Sequence, residues 1–482
     1  MPVRHTHLSP LSAGGQLAEA LAALRIEFAV PDGFPAAVLE EASEAPSSVP
    51  EPDLRDIDFV TLDPQGSRDL DQAFHIERRS GGYRVRYAIA DLPGHVPPGG
   101  ALDAEARLRG QTLYLPDARV PLHPPTLSED RASLLPGQDR PAFVWTIDLD
   151  ETGAATDARV ERAVIRSRAQ LDYEGAQRAF ETGTVEGPLA LLPEVGKLRI
   201  AQERARGGAS LNMPDEEIVR DPEGYRIVRR YPLPVEDWNA QLSLLTGIAA
   251  GEMMLDGGIG VLRIMPPPGT GALGEFRSRV AALGQPWSRN DSYGEYLRGL
   301  DTDEASTPAI LQAAASLFRG AEYAPFDGEA PAETEQAAIA APYAHVTAPL
   351  RRLVDRWGLV ICEALCTDRP VPSWVRESLS ELPSLMRASN RLAGGIGSAA
   401  LDRVEAALLR DRVGEVFPAV VVEVRGERAR VQLAEPAVTA QCPADGLEAG
   451  TRVEVRVIAA DVPSGSIELA ALATAREAKA SA

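Results

Sequence analysis

Asp63-Pro-Gln-Gly-Ser-Arg-Asp69-Leu-Asp71-Gln72 is the stretch on which the reading of this 482-residue chain turns. It sets three carboxylates, Asp63, Asp69 and Asp71, between two strand-like apolar runs, 58–62 and 73–76. Asp favours turns, and most acidic loops are solvated surface. A loop that gathers carboxylates between strands also suits a hard divalent cation, because Mg²⁺ takes oxygen ligands and fills its other positions with water or substrate phosphate. The rest of the chain favours the second reading.

Tyr87-Ala-Ile-Ala-Asp91 follows, a strand ending in another carboxylate, then Tyr114-Leu-Pro116, Pro121-Leu122 and Leu127-Ser-Glu-Asp-Arg-Ala-Ser-Leu-Leu135. Far downstream, Tyr343-Ala-His345-Val-Thr347-Ala-Pro349-Leu-Arg351-Arg352-Leu-Val-Asp355 forms a second long signature. Leu171-Asp-Tyr173-Glu174, Ala205-Arg-Gly-Gly-Ala209, Gly260-Val-Leu-Arg263 and Ala321-Glu-Tyr323 lie between them in order. This succession resembles the catalytic (RNB) domain of the ribonuclease II and ribonuclease R family, processive exoribonucleases that degrade RNA from the 3′ end and release nucleoside 5′-monophosphates. The resemblance covers residues 55 to 370, and two long signatures joined by lesser ones are far more specific than either alone.

The resemblance implies roles. Asp63, Asp69 and Asp71 fall on the first three positions of a four-Asp motif and would hold Mg²⁺ directly or through water, with Mn²⁺ as a substitute. The fourth Asp is Gln72 here, which keeps a carbonyl oxygen as a ligand but removes a full negative charge. Weaker metal binding, a shift towards Mn²⁺, or loss of turnover is the expectation. Asp91 is either a replacement carboxylate or a structural strand end. Arg351 falls on the family's catalytic arginine, where a fixed guanidinium would stabilise charge growing on the scissile phosphate. Arg352 is either a second phosphate clamp or a salt-bridge partner. Ala348 and Leu353 replace the family's Ser and Tyr and remove two hydroxyls near that arginine. Tyr114 and Tyr173 match family tyrosines that contact the RNA 3′ end by base-tolerant stacking, the alternative being core tyrosines with satisfied hydroxyls. Glu322 and Tyr323 are assigned to the RNA channel, and His345 reads as a structural hydrogen-bonding residue rather than a general base.

Composition narrows the class. The chain is 44% apolar and 25% charged, as globular proteins are. No apolar run is long enough to cross a bilayer. The start, Met1-Pro-Val-Arg-His-Thr-His7, lacks the apolar stretch of a signal peptide, so a cytoplasmic location is expected. Cys362, Cys366 and Cys442 read as buried inert thiols, and no two histidines have the spacing of a zinc site. The net charge of −21 excludes the whole-surface basic field of a generic nucleic-acid binder, although a channel needs only local positive charge. Lys197 and Lys479 are the only lysines, an arginine bias that genomic base composition explains as readily as phosphate recognition does.

The predicted architecture is α+β. Residues 1–54 read as a leader with short helices at 16–24 and 36–42 and a linker at 43–52, too short for the two cold-shock barrels that usually precede this catalytic domain. Residues 55–410 read as an RNB-like catalytic domain, a mixed sheet with surrounding helices. Strands are expected at 83–89 and 143–149, and helices at 235–255, 308–318, 350–365, 374–392 and 399–409. Residues 411–473 read as a small OB-type β-barrel like that of ribosomal protein S-one, with strands at 416–424, 428–433, 453–459 and 466–469. Phe417 is its one aromatic side chain, so RNA binding there is expected to be weak. A tail, 474–482, closes the chain.

The leading expectation is thus a metal-dependent, processive 3′-to-5′ exoribonuclease acting on single-stranded RNA and on duplexes with 3′ overhangs. It is expected to be monomeric, with no membrane and no obligate protein partner. A non-catalytic RNA-binding homologue, motivated by Gln72, is the alternative. A metal-dependent DNA nuclease is the third reading.

Overall fold

The computed structural model describes residues 6–8, 15–44, 50–209, 213–221, 224–304, 306–315, 317, 320–433 and 435–472. Residues 45–49 of the expected linker and the whole expected tail lie outside them.

Five strands, Phe59–Asp63, Gln72–Arg79, Gly82–Ala90, Asp139–Asp150 and Ala155–Asp172, close into a barrel. Neighbours are antiparallel except at the closure, where Phe59–Asp63 runs parallel to Ala155–Asp172 and sets Asp63 beside Asp172. Closure satisfies the backbone of every strand and leaves no open edge. Successive side chains point to opposite faces. Tyr83, Val85, Tyr87 and Ile89 accordingly join one core with Phe74, Trp145 and Leu242, while Ala88 and Ala90 join another with Phe59, Leu102 and Leu127. Burial on both faces explains why Tyr87-Ala-Ile-Ala90 carries no charged residue.

Helices Pro234–Gly257 and Asp355–Cys366 pack into the first of these cores through Leu242, Leu245, Val360 and Ile361. The first begins with Pro at its opening turn, where no N–H is needed, and stops at Gly258 in the left-handed conformation, φ 67°. Two glycines one turn apart on its flank admit the second signature: Ala344 N–H donates to the Gly247 carbonyl at 2.9 Å, and a Cβ on Gly251 would lie 2.8 Å from the Tyr343 backbone nitrogen. The helix expected at 350–365 starts only at Asp355, because residues 347–354 form the bend and turn that carry Arg351.

The helices expected at 374–392 and 399–409 are instead Ser373–Ser378 and one 29-residue helix, Leu382–Arg410. The long helix runs unbroken through Gly394, Gly395 and Gly397; a Cβ on Gly395 would lie 3.0 Å from the Phe28 ring. Tertiary packing thus overrides the low helix propensity of glycine. Phe28 follows helix Gln16–Glu27, whose Leu17, Leu21 and Leu24 lie on one face and are fully buried. They share a core with Ile396, Val404 and Leu408 of the long helix and with Phe417 and Val455 beyond it. Helix Ala36–Glu44 places Val38 and Ala42 in a core of the first barrel, with Phe59 and Ala88. The expected leader is therefore part of the packed body, and the boundaries drawn at 54 and 410 cut through shared cores.

The C-terminal strands Val416–Arg425, Arg428–Leu433, Thr439–Pro443, Arg452–Asp461 and Ser466–Leu472 close into a second barrel, as the OB-type reading requires. Sequence reading missed Thr439–Pro443, a short strand without a run of β-formers. It also missed the hairpin Asp215–Asp221 with Gly224–Arg230. Cys362 and Cys442 are buried, Cys366 is half-buried, and all three are free thiols. No helix among the described residues is long and apolar enough to cross a membrane.

The glycine flank yields a stability test. Gly251→Ala forces a methyl against backbone and should cost about 1–3 kcal/mol in urea unfolding. Gly274→Ala, on the exposed side of helix Thr270–Ala282 with nothing within 4 Å, should instead stabilise by about 0.5–1 kcal/mol.

Candidate active site

The acidic loop leaves the barrel at Asp63, turns at Gly66 (φ 84°), and returns extended into the strand that starts at Gln72. Extended backbone alternates its side chains, and Leu70 sorts them. Its side chain is wholly buried in the core with Phe59 and Leu134, and its N–H donates to Ser133 Oγ at 3.0 Å. Asp69 and Asp71 flank it in the chain and so project to the other side.

Asp71 is 6% exposed. Its Oδ1 accepts the Leu350 N–H at 2.8 Å, and its Oδ2 lies 3.7 Å from Arg351 Nε. Burial pushes its carboxyl up to about 8, against the pull of Arg351 and the Leu350 N–H. Burial pushes Asp63 up to about 7, opposed by Arg351 and reinforced by Asp69. Asp63 Oδ2 is buried with no hydrogen-bond partner. One buried and one half-buried carboxylate beside one guanidinium are short of positive charge, and an orphaned carboxylate oxygen is a hard ligand of the kind Mg²⁺ takes. The donor set therefore fits a divalent cation in kind. Among the described residues, no three His, Cys, Asp or Glu side chains converge as a metal-binding group. Asp69 in particular is turned to Arg119, 2.7 Å from its Nη1.

Arg351 and Tyr114 are the open members of the site, 46% and 47% exposed. The sequence thereby places a guanidinium and an aromatic face at the mouth, with the acids behind. Tyr173 opens helix Tyr173–Thr182, capped by Asp172, and its hydroxyl lies 3.3 Å from Asn239 Nδ2. Burial, with the Asp63 charge beside it, pushes its phenol up to about 12. Tyr173 is half-buried next to Asp63.

Other assignments change. Gln72 is engaged at both ends: Nε2 donates to the Thr347 carbonyl and Oε1 accepts from Tyr87 OH, each at 2.6 Å. Arg352 spends Nε and Nη2 on Asp355 at 2.8 and 2.7 Å, which makes it the salt-bridge partner rather than a phosphate clamp. Tyr323 is a core tyrosine, its hydroxyl 2.8 Å from Nδ1 of the half-buried His345. Glu322 is exposed, 3.9 Å from Arg387. Asp91 caps the turn Leu92–Gly94 through the Gly94 N–H and pairs with Arg162 at 3.2 Å, so it is no replacement ligand. Ala348 and Leu353 are buried, at positions where an unpartnered hydroxyl would be costly. Sequence reasoning missed Tyr87, Arg119 and Asn239. Tyr87 alone carried a signal, as the one hydroxyl in the apolar run Tyr87-Ala-Ile-Ala90.

An RNB domain matches residues 52–364, and an RNase II-type exonuclease C-terminal S1 domain matches residues 415–472. Ribonuclease R of Escherichia coli (strain K12) is 28% identical over 431 residues, 82% of this chain and 52% of that protein, so the chain spans about half the length of this curated relative. Mycoplasma genitalium RNase R, solved in complex with ribose methylated single-stranded RNA, superposes with a TM-score of 0.81 at 18% identity, over 96% of this chain and 79% of that one. The same protein in complex with double-stranded RNA superposes at 0.78. Yeast Ssd1, a pseudonuclease, superposes at 0.69 with 17% identity, over 92% of this chain and 59% of that one. An RNB domain that takes in the acidic loop and Arg351 alike, followed by the S1 barrel, leaves one conclusion: the chain belongs to the RNB family of RNase II-type exoribonucleases.

Proposed function

We propose that this chain is a processive, hydrolytic, metal-dependent 3′-to-5′ exoribonuclease that acts on single-stranded RNA and releases nucleoside 5′-monophosphates. The observation that carries the proposal is the half-buried Asp63, with its unpartnered Oδ2, and the buried Asp71 set behind an exposed Arg351, with Tyr114 beside it. Asp63 and Asp71 would hold Mg²⁺, or Mn²⁺ in its place, and Asp69 would join them on leaving Arg119. The ion would supply an activated water and charge neutralisation at the phosphate. The exposed side of Arg351 is free to meet the phosphoryl oxygens, where a preorganised guanidinium stabilises developing charge. Tyr114 offers a ring face to the terminal base, in keeping with digestion of any sequence. Single-stranded and double-stranded RNA complexes of a structural neighbour support RNA as substrate, and duplexes with a 3′ overhang are included in the proposal. The working form proposed is a cytoplasmic monomer with no obligate protein partner.

A second reading, a non-catalytic RNA-binding homologue, is favoured by the engaged amide of Gln72 and by the lack of a converged metal set among the described residues. Digestion of 5′-labelled single-stranded RNA with and without Mg²⁺, against Asp71→Asn, separates the two. Metal-dependent shortening that Asp71→Asn abolishes is the expected result. Intact RNA bound without shortening in Mg²⁺ and in Mn²⁺ would establish the second reading. Arrest several nucleotides before a duplex junction, while single strands are consumed, would remove overhang duplexes from the substrate range.

Arg351→Lys keeps the charge but loses the planar fork. It should lower kcat by about a hundredfold or more in single-turnover digestion, with RNA affinity changed little.

The carboxylates also predict a pH dependence. Metal-free, Asp63 and Asp71 hold protons up to about pH 7 and 8, whereas an unfolded Asp releases them near 3.8. The folded state then binds more protons than the unfolded one, so stability falls as pH rises from about 4 to about 8. Urea midpoints of the metal-free protein should drop over this window. Asp71→Asn should flatten the drop, and Mg²⁺ should raise the midpoint more at pH 8 than at pH 6.

A further inference from the structure

Gln72 occupies a position where the resemblance calls for a metal-binding carboxylate, yet its amide is used up. Tyr87, 1% exposed, stands two strand positions before Ile89, which pairs with Gln72 on the neighbouring strand, and aims its hydroxyl at Gln72 Oε1. The other end of the amide reaches out of the barrel to the Thr347 carbonyl. Thr347 belongs to the turn that carries Arg351, and its Oγ1 lies 2.9 Å from Ser243 Oγ. Asp71, the preceding residue, holds the same turn through the Leu350 N–H. Adjacent residues of the acidic loop therefore hold the arginine turn at two points, one through its carbonyl at Thr347 and one through its amide at Leu350.

We infer that Gln72 is a positioning residue in this chain, a strap from Tyr87 to Thr347 that fixes Arg351 opposite Asp71, and not a metal ligand. The chemistry at each end requires an amide. Oε1 must accept from a phenol and Nε2 must donate to a carbonyl, and only a side chain with both an acceptor and a donor does this. Asp is one methylene shorter and cannot span the two partners. Glu has the length but would set a carboxylate oxygen against the Thr347 carbonyl, acceptor against acceptor. Restoring the family's Asp would therefore damage this site rather than repair it. Burial holds the Tyr87 phenol well above its ordinary range, so it remains a donor at every working pH.

This inference rests on the nuclease reading, and Tyr87→Phe tests it without adding or removing charge or any metal donor. The readouts are kcat and KM on single-stranded RNA, Mn²⁺ affinity by electron paramagnetic resonance, and hydrogen exchange at the Leu350 amide. The strap predicts a kcat about tenfold lower, the scale of one buried hydrogen bond. KM and Mn²⁺ affinity should stay within about twofold, inside the scatter of a neutral change. It also predicts faster exchange at Leu350 and no further loss of kcat in an Arg351→Lys background, which a merely structural role would not give. Gln72→Glu and Gln72→Asp should lower kcat as well, and they serve if Tyr87→Phe does not fold. An unchanged kcat in Tyr87→Phe, or a kcat above the parent in Gln72→Asp, would overturn the inference. If the parent itself does not shorten RNA, the nuclease reading has failed, and exchange at Leu350 decides the strap alone: faster in Tyr87→Phe upholds it, unchanged removes it.

Discussion

The hydrogen bond from the Leu350 amide to Asp71 joins two parts of the chain that are distant in sequence and that the chemistry needs side by side. One is a loop pinned to the barrel by Leu70; the other is a turn pinned to helix Pro234–Gly257 by Ala344 and closed by the Asp355 carboxylate, which accepts from Ala348 N–H at 2.7 Å. A bond from a neutral donor to a buried carboxylate is worth about 1.5–3 kcal/mol, more than a neutral pair. It is made where burial would otherwise leave Asp71 poorly solvated. The contact thus sets the arginine's position and pulls the Asp71 carboxyl back towards ionisation against the push of burial.

The geometry around this bond is held by closure. The catalytic barrel closes by a parallel pairing that brings Asp63 and Asp172 together, so the first acid and the cap of the helix bearing Tyr173 are fixed by one register. A one-residue slip would turn Asp63 away and bring Leu62 in its place. The long helix Leu382–Arg410 then ties the catalytic body to the second barrel, and Leu17, Leu21 and Leu24 fill the seam. The S1 barrel is therefore held through a shared apolar core rather than on a free linker.

Much of this was legible. The strand-like apolar runs around Asp63 and Tyr87 marked strands, and the amphipathic stretch 16–24 marked a helix. What the reading could not supply was the partner of that face, and so it took a packed element for a leader. Gly394, Gly395 and Gly397 argued for a break in the long helix, which packing against Phe28 overrides. Arg352 looked like a ligand-binding residue because it flanks Arg351, and Tyr323 because it lies in a tripeptide that matches the family. Their functional groups are spent on Asp355 and His345, and no spacing rule shows that.

The sequence alone determined which chemistry is present: three acids and an amide in one loop, an arginine in a distant signature, an α+β catalytic body and a barrel after it. These follow from local rules, because residue type and periodicity are written along the chain. Which of those groups face one another was decided only by the tertiary structure. Asp71 meets Arg351, Asp69 turns to Arg119, Asp91 turns to Arg162, and Gln72 spans Tyr87 and Thr347. A side chain's partner depends on barrel closure and turn geometry across hundreds of residues, and hydrogen bonds and burial then decide whether a carboxylate or an amide is left free to act.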